Sequence, residues 1–98
     1  MGNGLKSAQF LIERRLIDAA RGDANALYDL GIVYSMGTSE HGIDLIAAHK
    51  WFNLAAVSGM TAAAEARADV AEDMTAREIA EAQRQARAWL GATRRLAA

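Results

Sequence analysis

No proline interrupts this chain, and alanine recurs throughout it. Proline would break a helix and alanine extends one, so the backbone is free to be helical almost anywhere. What divides it is glycine. Gly22, Gly37, Gly59 and Gly91 each follow a run of apolar residues at helical spacing. A residue in the left-handed conformation closes a last helical turn at such positions. The pattern predicts five helices, Ser7–Arg21, Ala24–Met36, Leu45–Ser58, Ala62–Asp73 and Ala76–Leu90. Asp23 and Asp44 stand as N-caps, and Thr61 precedes the fourth helix. Thr75 and Glu78 have the spacing of a capping box. No segment alternates as a strand does, so the fold class is all-α. Residues 1–6 read as disordered, 7–21 as a leading helix and 92–98 as a tail. The leading helix is expected to turn Phe10, Leu11, Ile17 and Ala20 toward a core. The fifth helix should turn Ile79, Ala82, Ala86 and Trp89 inward.

Ninety-eight residues make one small domain with a thin core. A net charge of −1 argues against general nucleic-acid binding, which favours strongly basic chains. Cysteine is absent, which removes disulfides, thiolate metal sites and thiol nucleophiles. No apolar run is long enough for a secretory signal or a membrane span, so a cytoplasmic protein is expected, without membrane contact.

The helices repeat. The segment from Ala19 to Leu27 recurs, 37 positions on, as Ala56 to Ala64. The fifth helix echoes the third, with Ala82 answering Ala48 and Arg84 answering Lys50. A period in the thirties with two helices per unit marks a helical repeat array. Within the third helix, adjacent Trp51 and Phe52 point about 100° apart, so each can fill one of two apolar faces. Surrounding alanines let neighbouring backbones approach. Gly31 inside the second helix costs about 1 kcal/mol against alanine, and a close crossing against the Trp51 face would explain it.

The order of these residues resembles the Sel-one-like repeat, a relative of the tetratricopeptide repeat. Ala26, Leu30-Gly31, Tyr34 and Gly37 match the first helix of that unit. Ala48, Trp51, Phe52, Ala55-Ala56 and Gly59 match the second. The match is specific over 22–59 and weak over 60–91, where Arg67-Ala68 stands in place of Leu-Gly. The resemblance implies an antiparallel helix-pair solenoid of about five helices, roughly two repeats behind a leading helix. It also implies an adaptor between proteins, without chemistry of its own.

The residues themselves offer little chemistry. His41 lies beside Glu40 and Asp44 in the one loop of any length, too sparse a set for a metal site. His49 reads as a surface residue. Asp69, Glu72 and Asp73 read as a solvated helix face rather than an acid/base pair. No phosphate loop or nucleophile motif occurs, so no enzyme, cofactor or metal is expected. With Ala26, Leu27, Leu30 and Tyr34 inward, the opposite face of the second helix shows Asn25, Tyr28, Asp29, Ile32 and Met36. Tyr28 and Ile32 would be exposed anchors, with Glu65 and Asp69 adding charge from the fourth helix. The partner expected there is a protein segment carrying a basic and an apolar residue. A second expectation is a homodimer seamed by Phe10, Leu11, Ile12 and Leu16. A third, weaker one uses the four arginines between Arg84 and Arg95 against an acidic surface.

If Trp51 packs between helices, its loss is a loss of fold. Trp51→Ala should cost about 3–5 kcal/mol and Trp89→Ala less, as read by thermal melts followed by circular dichroism. A Trp51→Ala protein that melts with wild type would place that ring on a ligand instead.

Overall fold

Asp23 and Asp44 settle where two of the helices begin. Asp23 accepts from the amides of Asn25 and Ala26, and Asp44 from that of Ala47. Each satisfies amides that a helix start leaves without partners. The computed structural model describes residues 3–38 and 42–97, with side chains over 9–38 and 42–94. Its described residues form five helices and no strand: α1 Asn3–Ala20, α2 Ala24–Met36, α3 Leu45–Val57, α4 Thr61–Ala71 and α5 Ala76–Ala97. The capping box at α5 is formed. The Glu78 amide donates to Thr75 Oγ1 at 3.1 Å, and the Thr75 amide donates to Glu78 Oε1 at 2.8 Å. Among the described residues, no helix is long and apolar enough to cross a membrane.

Several boundaries differ from the expectation. α1 begins at Asn3, inside the stretch read as disordered, because nothing between Asn3 and Ser7 stops a helix. α5 runs through Gly91 to Ala97, so residues 92–97 are helix and not tail. Gly22, Gly37 and Gly59 have positive φ as expected, whereas Gly91 is an ordinary helical residue. No turn follows it, so no left-handed residue is needed. α4 starts at Thr61 itself. Met60 holds the cap position without a side-chain bond, because the turn at Gly59 brings the chain round at once.

α3 is the central element. α2, α4 and α5 all pack on it, and α1 packs on α2. α2 and α3 form a close hairpin. Its loop is closed by the Asp44 amide donating to the Tyr34 carbonyl at 2.9 Å. Gly37 is doubly required there: its φ is +79°, and a Cβ would press on the backbone of Gly42 and Ile43. α4 and α5 pack on α3 rather than closely on each other. Apart from alanines, α4 offers only Val70 as an apolar side chain, so it makes one small-residue contact, centred on the fully buried Ala63.

The core runs through Leu27, Leu30, Trp51, Leu54, Ala55, Ala63 and Ala86. Phe52 and Leu30 are its largest fully enclosed side chains. The Trp51 and Trp89 rings meet edge to face with centroids 4.8 Å apart, joining α3 to α5. The close crossing at Gly31 is made with Phe52, not with Trp51: a Cβ at Gly31 would overlap the Phe52 ring. α1 is rotated from the expected facing. Ile12 and Ala19 are buried and Leu16 packs on the core, while Phe10, Leu11 and Ile17 are exposed. Positions 12, 16 and 19 form the one stripe that a single neighbour, α2, can cover.

Two glycine substitutions should move stability in opposite directions. Gly31→Ala gains about 1 kcal/mol of helix propensity but forces the Phe52 ring aside, an overpacking cost of about 1–3 kcal/mol, so its melting temperature should fall. Gly91→Ala meets nothing within 4 Å of its new Cβ. It should gain up to about 1 kcal/mol, a rise of about 4–8 °C. Equal shifts of the same sign in calorimetry would contradict the close crossing.

Candidate functional site

The turn at Gly22 joins α1 to α2, and the small residues on either side of it, Ala19 and Ala26, are buried. In the half away from that turn, α1 and α2 leave an open groove of about 380 Å³. Leu11 and Ile12 form one wall, and Ile32 and Val33 the other. Across it Arg15 Nε donates to Asp29 Oδ2 at 2.9 Å, with both side chains partly exposed. Among the described residues the groove is thus apolar on both walls, with one ion pair between them and Thr38 also lining it. It can take an apolar side chain, and the ion pair can exchange hydrogen bonds with a polar main chain.

Two of the residues expected to bind a partner, Asp29 and Ile32, line this groove. Leu11 and Ile12, expected as a dimer seam, form its other wall, so two surfaces read separately from the sequence face one another. Ile12 and Leu16 are packed inward and cannot form an external seam. Tyr28 is not an exposed anchor. Its ring lies 5.5 Å from that of Phe52, half-buried, because α3 crosses on that side of α2. Asn25 and Met36 are exposed and lie outside the groove. Glu65 and Asp69 are exposed on α4, which packs on α3, so they do not join it either. Arg15 was missed by sequence reasoning, since its partner lies fourteen residues away on another helix and leaves no local signal.

His41 and Glu40, the centre of the metal reading, lie outside the described residues. Among the described residues, no group of three or more His, Asp or Glu is arranged to hold a metal. His49 corrects the surface assignment. It is 4 % exposed, and its Nδ1 has no hydrogen-bond partner. Desolvation, and secondarily the Arg67 guanidinium on α4, hold its pKa below the ordinary 6.5. One turn on, Asn53 Oδ1 accepts from Arg67 at 2.5 Å. Arg67 therefore ties α4 to α3.

A second depression, about 230 Å³, gathers the C-terminal ends of α1 and α3 against α5, over Leu54, Trp89 and Leu90. Arg21 and Arg94 stand at its rim. Of the four C-terminal arginines, Arg84 is paired with Glu81 at 2.6 Å. Hydrogen bonds from Arg84 and Gln85 hold the Glu81 carboxyl down to about 2. Lys50 Nζ lies 4.4 Å over the Trp51 ring and 5.6 Å over Trp89, and burial lowers its pKa while Asp44 opposes the shift. In comparisons with known proteins, no family model, no curated protein and no solved structure matches the chain.

The buried imidazole makes stability depend on pH. Its folded pKa is lowered, so the fold keeps its full contribution above the unfolded value of 6.5. That contribution is lost as the pH falls through 6.5 toward the folded pKa. Glu81 acts in a separate and lower window, between 4.5 and about 2. Melts at fixed ionic strength between about pH 7.5 and about pH 5 should show wild type losing stability that His49→Leu retains. Parallel curves would show that the site protonates without cost.

Proposed function

We propose that this protein is a non-enzymatic adaptor of the Sel-one-like kind, taking a segment of a partner protein in the groove between α1 and α2. The observation that carries the reading is the groove's composition: apolar walls on two helices, bridged by one half-exposed ion pair. An apolar side chain of the partner sits between Leu11 and Ile32. Arg15 and Asp29 hydrogen-bond to its main chain, and the Asp29 carboxylate favours a basic residue nearby. Arg15 already shares that carboxylate, so the apolar anchor contributes more to affinity than the basic residue does.

The helix-pair arrangement fits this use. The α2/α3 hairpin holds the inner wall rigid, and α1 behaves as the last helix of a preceding unit laid against it. α4 and α5 cover α3 and carry no part of the groove.

Peptides selected from a random library against the folded protein should share one apolar anchor. Ile32→Glu should weaken them about tenfold or more with helix content unchanged, since it puts a charge against that anchor. Amide shifts on binding should centre on Leu11, Arg15, Ile32 and Val33. Shifts centred on α4 or on the depression beside Trp89, with Ile32→Glu binding normally, would refute the groove.

A further inference from the structure

The outer face of α1 carries a pattern that the groove does not use. Phe10 is 65 % and Ile17 53 % exposed, and Glu13 and Arg14 between them are exposed too. At 100° per residue, positions 10, 13, 14 and 17 fall on one stripe. That stripe points away from Ile12, Leu16 and Ala19, the side packed on α2. Read in either direction its order is apolar, charged, charged, apolar, and the two charges are opposite in sign.

We propose that a second copy of this chain covers this face, the two α1 helices running parallel about a two-fold axis that follows the seam between them. A two-fold interface is made by one patch against itself, so the patch must be self-complementary. Glu13 and Arg14 lie on opposite flanks of the line from Phe10 to Ile17, about 100° apart. In the parallel arrangement Phe10 meets the partner's Phe10, Ile17 meets the partner's Ile17, and Glu13 meets the partner's Arg14, the charge contact occurring twice. An antiparallel arrangement would bring identical flanks together, Glu13 against Glu13 and Arg14 against Arg14, and like charges facing across a contact disfavour it. Arg14 is free to take part. Within its own chain Nε lies 3.9 Å from the Asp18 carboxylate, a loose contact, and its side chain is 64 % exposed. A single pair of helices buries little surface, so the association is weak, dissociating at about ten micromolar or above.

This interface is independent of the α1/α2 groove, and the experiment separates the two. Sedimentation equilibrium on the full chain, at low salt and up to roughly 0.5 mM, should show a monomer–dimer equilibrium. Glu13→Arg alone should weaken the dimer about tenfold or more, because both charge pairs become repulsive. Adding Arg14→Glu to Glu13→Arg restores opposite charges in swapped order and should recover wild-type affinity to within about threefold. Ile17→Glu should abolish association while circular dichroism shows the helices intact. Ile32→Glu, which tests the groove, should leave the dimer unchanged. A wild-type chain that stays monomeric over the whole range would overturn the proposal, and would leave this face to a different occupant. A dimer indifferent to Glu13→Arg, or one that the charge swap fails to rescue, would overturn it equally.

Discussion

The approach of α2 to α3 at Gly31 is the contact on which the rest depends. The missing Cβ admits the Phe52 ring, and that ring is 1 % exposed as a result. Burying a phenylalanine contributes about 1.5–3 kcal/mol, which is more than the helix propensity that the glycine gives up. With Phe52 turned to α2, Trp51 is turned to α5 by the 100° between successive residues. One pair of adjacent aromatics thus fixes α3 between two neighbours. Tyr28 follows from the same geometry, drawn against Phe52 instead of standing free. The groove exists because α2, held on one side by α3, meets α1 on the other with small residues near the turn and larger ones beyond it.

The helices were legible in the sequence because their signals are local. Asp23, Asp44 and the Thr75/Glu78 box act within a few residues of themselves, and each cap formed as expected. The packing of Ala82 and Ala86 was legible too, since a period of three to four survives in any helical context. Facing was harder. α1 has more apolar residues than one neighbour can cover, so periodicity alone did not decide between Phe10 and Ile12. Which side lost depended on where α2 lay.

The candidate site was half legible for the same reason. Asp29 and Ile32 were placed by their position opposite Leu30, and they do line the groove. Tyr28 was placed by the same rule and is half-buried, because the rule assumes one buried face and α2 has two. His49 escaped because a polar residue in an otherwise apolar helix reads as outward-facing. It is buried instead beside Arg67, whose own place in the repeat pattern looked like decay. Arg67 in turn ties α4 to α3 through its hydrogen bond to Asn53.

The edge-to-face pair of Trp51 and Trp89 also decides what light can say about this molecule. The chain has two tryptophans, and both lie in the one seam between α3 and α5, under the Lys50 ammonium. Their emission therefore reports first on that seam. Separation of α5 from α3 would change it at once, whereas of α1 only the C-terminal end, which shares a depression with Trp89, would register in it. Stability is not uniform across a structure, and the leading helix, whose packing is the sparsest of the four main helix pairs, is expected to loosen first. An indole signal and an amide signal would then part company on heating, and the gap between them would measure how loosely α1 is attached.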